Sequence, residues 1–351
     1  MNTKLKILTA ATVLASFGAS VAVAQDKASP EEANAPTVAA VNFDTYVRAE
    51  TDVAFKKIFD DAGMNTLSHN RTLTPIDKQN VVRMNRDTLY SFAVLDLSKP
   101  ATVVMPKTGE RYQSLQVISQ DHYSFAKTKP GSYKLTQKEV GTQYAYLIIR
   151  TFIDANDPVD IKSANAIQDQ IVIKGGGDGQ LDIPEWNMEQ LKIATDALNT
   201  LAKLGGSNEG AFGTQDQVKT ISHLVFTAAG WGGLPLKNTF AFLETIDLKD
   251  GAEFVINVKD VPVDAFWSVT VYDEKGFIPE NSKGNYSYNN VTAKPNDDGS
   301  YTIHLGGCDD DRANCLPISD GWDYVVRMYE PRPEILDGTW KFPKAEAMKG
   351  K

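Results

Sequence analysis

The densest group of polar side chains in the sequence lies just before a run of β-prone residues. Arg83, Asn85 and Asp87 alternate in the segment RMNRDTLY, and Tyr90 follows them in the run LYSFAVLDL. Alternate side chains of an extended chain point to the same face, so a guanidinium, an amide and a carboxylate are predicted to converge. Such a set suits a sugar, a carboxylate or another polar ligand. The alternative is a structural network in which Asp87 caps a turn and pairs with Arg83.

Two histidines flank this segment in the sequence. His69 lies in LSHNRTL and His122 in SQDHYSF, and both have polar or aromatic neighbours. Each is a candidate general base or metal ligand, and Asp87 is the candidate catalytic carboxylate. The alternative for both histidines is a hydrogen-bonded structural role. His223, in ISHLVF, is interpreted as a core or interface residue, and the strand position of His304 is typical of a solvent-facing side chain.

Other catalytic patterns are missing from the sequence. It contains no HExxH or HxH spacing, no GxSxG motif and no GK[ST] phosphate loop. We therefore predict no dedicated metal site and name no cofactor. The acidic run at 309–311 offers the oxygen ligands that calcium prefers, but its spacing is not that of an EF-hand, and solvated surface acids are the alternative.

Aromatic residues are the second kind of candidate binding group. Trp231 lies in GWGGLP, and an exposed tryptophan stacks well on the face of a sugar ring. We therefore group Trp231 with Arg83, Asn85 and Tyr90 as candidate ligand-binding residues. The alternative is that aromatic side chains fill the core, which we favour for Trp267 in FWSVTVY.

The first residues have the pattern of a secretory signal peptide. Lys4 and Lys6 precede an apolar stretch, and the run Ala22-Val23-Ala24 supplies the small residues that signal peptidase requires. We predict cleavage after Ala24 and a periplasmic or secreted bacterial location, with a membrane anchor as the alternative. No later stretch approaches the roughly 20 apolar residues of a spanning helix, so no transmembrane segment is expected after signal removal.

Charge and cysteine content narrow the function classes. The net charge of −9 disfavours nucleic-acid binding, which needs clustered Lys and Arg. Cys308 and Cys315 are the two cysteines, and in an oxidising compartment they are predicted to form a disulfide across a small loop. The alternative is a metal-binding pair, although the spacing is wider than that of a typical CxxC turn.

The hydrophobic pattern predicts the elements that position these residues. Helices are expected over 42–61, over 158–171 and over 184–206, the last with one apolar face formed by Trp186, Leu191, Ala194, Leu198 and Leu201. Short β-prone runs separated by Gly, Pro and Asp fill both halves of the chain, which predicts antiparallel sandwiches or barrels rather than a parallel sheet.

These elements divide the chain into five segments. We predict a signal peptide at 1–24, a flexible leader at 25–40, an N-terminal domain at 41–180, a linking helix at 181–220 and a C-terminal β domain at 221–345.

Two stretches of the sequence resemble known bacterial families. The RxNxDTxY run that begins at Arg83, together with GERYQSLQVISQDH, resembles domain-of-unknown-function family 1254. The runs DAFWSVTVYD and WDYVVRMYEPRPEILDGTW resemble family 1214, which follows family 1254 in secreted proteins. The resemblance implies a mainly β fold with accessory helices, in which two jelly-roll-like β-sandwich domains are joined by a helical segment. It implies no particular reaction.

The leading functional hypothesis is therefore a periplasmic or secreted binding protein. Its expected partner is a small polar or saccharide-like compound, bound in a cleft between the domains, with hydrolysis of that compound as an extension. One alternative is a non-catalytic envelope or assembly protein. Another is a metal-assisted hydrolase or oxidoreductase that uses His69 and His122. The sequence leaves the oligomeric state open.

Overall fold

The helices follow the periodicity of the apolar residues. The computed structural model describes residues 38–79, 82–204, 208–245 and 253–348. Its helices are α1 (Tyr46–Ala62), α2 (Gln137–Val140), α3 (Pro158–Gln168), α4 (Met188–Ala202), α5 (Thr220–Ala229) and α6 (Pro333–Leu336). The predicted helices over 42–61, 158–171 and 184–206 are confirmed as α1, α3 and α4. The predicted signal peptide and most of the predicted leader lie outside the described residues.

Strands make up most of the remaining regular structure. In chain order they are β1 (Ser68–His69), β2 (Thr88–Asp96), β3 (Ala101–Met105), β4 (Gln113–Ser119), β5 (Ser124–Lys127), β6 (Gly131–Leu135), β7 (Tyr144–Phe152), β8 (Val172–Gly175), β9 (Thr239–Thr245), β10 (Phe254–Val258), β11 (Trp267–Tyr272), β12 (Ser287–Asn289), β13 (Tyr301–Leu305), β14 (Cys315–Leu316), β15 (Asp323–Tyr329) and β16 (Glu346–Ala347). The prediction of a mainly β fold with accessory helices is confirmed, and the jelly-roll strand order stays a prediction.

The N-terminal part is built on an antiparallel sheet that is covered on both faces. Its strand order is β1-β2-β7-β4-β5, and a smaller sheet, β6-β3-β8, packs on one face through an apolar cluster that includes Leu95, Leu147 and Val103. Helix α1 covers the other face, where Phe55 packs near Tyr146. Side chains alternate along a strand, so every second residue of β2, β4 and β7 points toward the α1 face.

The C-terminal part is a sandwich of two sheets. The orders are β12-β11-β15-β9 and β14-β13-β10-β16, and the apolar residues between them include Trp267, Val326 and Ile303. Because Trp267 points into this core, its neighbour Ser268 points outward. The outer face of β11 therefore carries polar residues, and these meet the N-terminal part. The described residues from 38 onward belong to one compact unit.

Helix α4 packs on α1 and α5 through its first turns. Leu191 is buried, and Trp186, Ala194 and Leu198 lie at the edge of the same cluster. Leu201 was expected on this face but is 45% exposed, so that part of the prediction was wrong. The apolar contacts end at Leu198, which leaves the last turn of α4 with no partner for Leu201 in that cluster.

The predicted cysteine pair is confirmed as a disulfide. Cys308 and Cys315 are bonded, and their Cα atoms lie 5.5 Å apart. In the parts of the chain that the structure describes, no helix combines the length and the apolar character needed to cross a membrane.

Candidate functional site

The polar residues grouped by the sequence lie where the N-terminal part meets the C-terminal sheet. We call this the junction cluster: Arg83, Asn85, Asp87 and Tyr90. Asp87 is 1% exposed. Its Oδ2 accepts a hydrogen bond from Ser268 Oγ at 2.6 Å, and its Oδ1 accepts one from Asn289 Nδ2 at 3.3 Å. Burial raises the pKa of Asp87, while these bonds and the charge of Arg327 oppose that rise. Asp87 thus joins the two parts of the molecule.

Arg83 pairs with Asp323 and not with Asp87. Its Nη2 donates to Asp323 Oδ2 at 2.7 Å, and its backbone oxygen accepts from Arg327 Nη2 at 2.7 Å. The chain turns at Arg83, whose φ of +51° lies in the left-handed region. This turn breaks the extended geometry that the alternation argument assumed. The structural alternative expected an ion pair between Arg83 and Asp87. Arg83 instead makes two hydrogen bonds to residues of β15.

Asn85 holds the middle of the junction cluster. Its Oδ1 accepts from the Asp87 amide at 2.6 Å, and its Nδ2 donates to Tyr329 OH at 2.9 Å and lies 3.5 Å from Tyr90 OH. Arg83, Asn85 and Asp87 do converge on the C-terminal part, but each binds a different partner there. Arg83, Asn85 and Tyr90 are half-buried, whereas Asp87 is buried. These three are therefore the members of the junction cluster that solvent can reach.

Arg150 on β7 connects the junction cluster to His122, and the sequence analysis missed it. Its Nη1 donates to Gln116 Oε1 at 2.7 Å and its Nη2 donates to the backbone oxygen of Gly232 at 2.9 Å. The guanidinium carbon lies 5.4 Å from the centre of the Tyr90 ring. The sequence contained one signal for Arg150, which is the single charged residue in the apolar run YAYLIIRTFI. A buried charge is rare unless it is paired, so such a residue indicates a polar partner inside the protein.

His122 is a buried neutral imidazole. Its Nε2 accepts from the Gly232 amide at 3.0 Å, and its Nδ1 lies 2.9 Å from Thr227 Oγ1. Thr227 donates its own proton to the backbone oxygen of His223, so His122 Nδ1 is the donor to Thr227. Burial, with a smaller effect of His223, lowers the pKa of His122 to about 3. Both ring nitrogens are therefore occupied.

Trp231 packs on His122 instead of standing free. The two rings are 5.3 Å apart and nearly parallel, and Trp231 Nε1 donates to Thr51 Oγ1 at 3.2 Å. Tyr146 meets the indole edge-on at 5.0 Å. The role of Trp231 as a sugar-stacking residue stays a prediction.

His69 lies on the opposite face of the N-terminal sheet. Its Nδ1 is 2.7 Å from Ser91 Oγ, and Ser91 points away from the face on which Tyr90 and Arg150 lie. Burial is the largest cause of a lowered pKa at His69. Arg150 and Gly232 thus connect Tyr90 with His122, on which Trp231 stacks. Asp87 bonds the C-terminal part instead, and His69 lies apart.

A groove of about 830 Å³ opens beside His223. It lies between the start of α1, the turn from β4 to β5, α2 and the start of α5. We call it the groove. Its aromatic and charged or titratable lining side chains are Phe43, Asp44, Arg48, Asp121, Tyr123, Phe125, Lys138, Glu139, Asp216 and His223. Arg48 Nε donates to Asp121 Oδ1 at 3.0 Å, which ties α1 to the β4–β5 turn.

A stack of four rings leads from the groove into the core. Tyr123 and His223 have ring centres 5.1 Å apart, His223 and His122 are 5.4 Å apart, and Trp231 follows. His223 is 6% exposed, as expected for a core or interface residue. Its Nδ1 lies 3.0 Å from the backbone oxygen of Ala211, and its Nε2 lies 3.0 Å from that of Asp121. In the sequence, His122 lies between Asp121 and Tyr123. No local pattern indicated that the His223 ring would lie between the rings of Tyr123 and His122.

The residues that the structure describes contain no group of three or more His, Cys, Asp or Glu side chains arranged to hold a metal ion. Within the acidic run at 309–311, Asp310 and Asp311 bind neighbouring cationic side chains instead. Asp310 binds Arg312, whose Nε donates to Asp310 Oδ1 at 2.7 Å, and Asp311 Oδ1 accepts from Lys283 Nζ at 2.7 Å.

Solved structures resemble this fold over most of its length. The crystal structure of the VPA0106 protein from Vibrio parahaemolyticus is 21% identical, with a TM-score of 0.64 and coverage of 88% of this chain and 100% of that chain. A putative uncharacterized protein from Burkholderia cenocepacia is 14% identical, with a TM-score of 0.51 and coverage of 87% of each chain. At these identities the likeness concerns the fold alone. No curated protein matches the sequence.

Two family models match the chain in the predicted order. The family described as "Protein of unknown function (DUF1254)" matches residues 64–175, which include the junction cluster, Arg150 and His122. The family described as "Protein of unknown function (DUF1214)" matches residues 244–333, which include Ser268, Asn289 and Arg327. The resemblance inferred from the sequence is thereby confirmed, and the chain belongs to these two families of unknown function, DUF1254 followed by DUF1214.

Proposed function

We propose that the protein binds a small polar, saccharide-like compound in the groove. The observation that carries this proposal is the wall of the groove, where the aromatic residues Tyr123 and Phe125 lie beside charged side chains of both signs. A sugar ring stacks its C–H face on an aromatic ring and bonds its hydroxyl groups to polar side chains. The volume of about 830 Å³ lies within the usual range for small-molecule sites, roughly 300–1,000 Å³.

The charges of the groove favour a neutral, hydroxyl-rich ligand over an anion. Arg48 and Lys138 are its cationic side chains, and its carboxylates belong to Asp44, Asp121, Glu139 and Asp216. A strongly anionic compound meets this acidic excess unfavourably. Hydroxyl groups donate to carboxylates and accept from ammonium and guanidinium groups, so they can use both kinds of side chain.

Hydrolysis of the bound compound is an extension of this proposal. Glycosidases use two carboxyl groups on either side of the bond that is cleaved, and Asp121 and Glu139 supply carboxyl groups from two walls of the groove. Release of reducing sugar from a bound oligosaccharide would support this extension, and its absence would leave a binding protein.

The junction cluster is the second candidate position for a ligand. Asn85 and Tyr90 are half-buried, so a polar compound has partial access to them from solvent, and they lie between the two parts of the molecule. Metal-assisted chemistry shared by His69 and His122 gains no support from their positions on opposite faces of the sheet.

A thermal-shift and calorimetric screen tests binding in the groove. Glucose, N-acetylglucosamine and their disaccharides are the probes, because a ligand that binds the folded state raises its melting temperature by mass action. Phe43 is 79% exposed, so Phe43→Ala is expected to keep the fold while weakening binding about tenfold. Lys138→Ala is expected to act in the same direction.

Lys134→Ala is the matched control. Lys134 is exposed on β6, four residues before Lys138, and does not line the groove. It should bind as the wild type does. Equal affinity of wild type, Phe43→Ala and Lys138→Ala would contradict a site in the groove. No binding of any saccharide would favour the non-catalytic envelope or assembly alternative.

We also propose that the chain is exported, with cleavage after Ala24. The signal-like residues at the start support this, and the disulfide between Cys308 and Cys315 is consistent with an oxidising compartment. Intact-mass measurement of protein from the periplasm or medium is expected to show a chain that begins at Gln25 and resists alkylation without reductant. A chain that begins at Met1, or two alkylated cysteines, would contradict export.

A further inference from the structure

Arg150 is a buried cation without a carboxylate partner. It is 7% exposed, and its guanidinium donates to two neutral acceptors, Gln116 Oε1 at 2.7 Å and the backbone oxygen of Gly232 at 2.9 Å. Within the described part of the chain, Arg83 and Arg111 form ion pairs with aspartates, but no Asp or Glu forms one with Arg150. A charge taken out of water is costly unless an opposite charge meets it. The guanidinium is therefore suited to an anion from outside the chain.

Two hydroxyl groups beside Arg150 have no hydrogen-bond partner among the described residues. Ser114 lies directly opposite Arg150 in the β4–β7 pairing, is fully buried, and has an unpartnered Oγ. Tyr112 continues this pairing, because its backbone oxygen accepts from the Phe152 amide at 3.0 Å. Its side chain therefore points to the same face as that of Ser114, and its hydroxyl is also buried and unpartnered. Buried hydroxyls normally have partners, so these two indicate a group that the chain does not supply.

Tyr329 brings a further donor from the C-terminal part. Its ring centre lies 5.4 Å from that of Tyr112. Its hydroxyl oxygen accepts from Asn85 Nδ2 at 2.9 Å, so its own O–H is left for another acceptor. Burial raises the pKa of Tyr112, while the charge of Arg150 opposes that rise, and burial also raises the pKa of Tyr329. Both phenols therefore keep their protons near neutral pH and can donate hydrogen bonds.

We propose that Arg150, Ser114, Tyr112 and Tyr329 form an internal site for a small monocarboxylate, where the N-terminal part meets the C-terminal part. This set offers a guanidinium and three hydroxyl donors. A carboxylate ion carries the opposite charge and offers acceptor oxygens only, so it completes every unpartnered group of the set. A single guanidinium matches the charge of a monoanion better than that of a dianion. The half-buried side chains of Tyr90 and Tyr112 give the ligand a way in from solvent.

The two carboxylates next to these tyrosines are bonded to other groups. Asp87, near Tyr329, has both oxygens occupied and lies close to the charge of Arg327. Glu330, near Tyr112, accepts from Asn238 Nδ2 at 3.0 Å and from a threonine hydroxyl at 3.1 Å. Neither takes the place of a ligand at Arg150. No member of the proposed site lines the groove, so the site is independent of saccharide binding there.

Acetate is the probe for this site, with acetamide as its neutral counterpart of the same shape. Carbon-13 NMR of labelled acetate and thermal unfolding are followed near neutral pH and at constant ionic strength, with sodium chloride as the balancing salt. Acetate is expected to bind and to raise the melting temperature by mass action, while acetamide is not. The absence of acetate binding would overturn the proposal. An equal or larger effect of chloride or phosphate would also overturn it, because the site would then not select a carboxylate.

Ser114→Ala and Tyr112→Phe locate the binding. Each removes a hydroxyl that has no partner among the described residues, so the fold should be kept while acetate affinity falls about tenfold, the value of one charge-assisted hydrogen bond. Ser319→Ala is the matched control, because Ser319 also has a buried unpartnered hydroxyl but lies in the loop before β15. It should bind acetate as the wild type does. Wild-type affinity in both Ser114→Ala and Tyr112→Phe would place acetate elsewhere and overturn the proposal.

Discussion

At the scale of single residues, burial decides what a polar side chain can do. Asp87 is fully enclosed and its two oxygens are bonded to Ser268 and Asn289, so its contacts are those of a structural carboxylate. Arg327 supplies a buried opposite charge. A ligand would have to displace one of these partners to reach Asp87. The catalytic role expected for Asp87 stays a prediction, which a substitution can separate from a structural one.

We expect Asp87→Asn to lower the free energy of unfolding by about 2 kcal/mol, the cost of leaving a buried donor without its acceptor. The substitution replaces one accepting oxygen by an amide nitrogen, so the donor of Ser268 or of Asn289 loses its partner. Urea unfolding measures the change. Asp77→Asn, at an exposed position before the junction cluster, is the matched control and should differ from wild type by less than about 0.5 kcal/mol. A stable Asp87→Asn that no longer responds to saccharides would instead place the ligand at the junction cluster.

At the scale of elements, β7 and the loop after α5 organise the interior. Every residue of β7 is buried, and Arg150 is the charged residue among them. Its position is fixed by the backbone oxygen of Gly232, while the amide of the same glycine fixes His122. A single peptide segment thus sets two side chains, one from β7 and one from the β4–β5 turn. Glycine is favoured there, since φ at Gly232 is +76° and the end of the Ile148 side chain lies close to the place of a Cβ.

We expect Gly232→Ala to destabilise the protein more than Gly299→Ala, although both glycines have a left-handed backbone conformation. Its Cβ would lie 2.8 Å from Ile148 Cδ1, so a buried side chain must move. Gly299 has a similar φ of +80° with no atom within 4 Å, and Gly299→Ala measures the backbone cost alone. The difference in unfolding free energy between the two variants is expected to be about 1–3 kcal/mol. Equal losses would show that Ile148 gives way without cost.

At the scale of the whole molecule, the N-terminal and C-terminal β parts share a polar contact surface. Gln79 bonds both the amide and the oxygen of Ile278, in addition to the contacts of the junction cluster. Such a surface does not let the two parts separate freely, because each buried polar group would lose its partner. The domain limits at 180 and 220 stay predictions, and the helices α4 and α5 lie in and beside the segment between them.

The sequence alone determined the features that depend on near neighbours in the chain. Helical and strand periodicity, the disulfide across a short loop and the two family resemblances can each be recognised in a few tens of residues, and the structure and the family matches confirm them. The polar character of the junction cluster was also visible as a local pattern in RMNRDTLY. These features follow from local backbone preferences and side-chain alternation, which need no knowledge of the fold.

Only the tertiary structure decided which groups meet. Asp87 finds Ser268 at a separation of 181 residues and Arg83 finds Asp323 at 240, so no local pattern could have paired them. The same holds for His223, whose two carbonyl partners come from the β4–β5 turn and from the loop before its own helix. The chemistry of a buried side chain depends on its partners and on its exposure to solvent, and both are fixed when distant segments pack together.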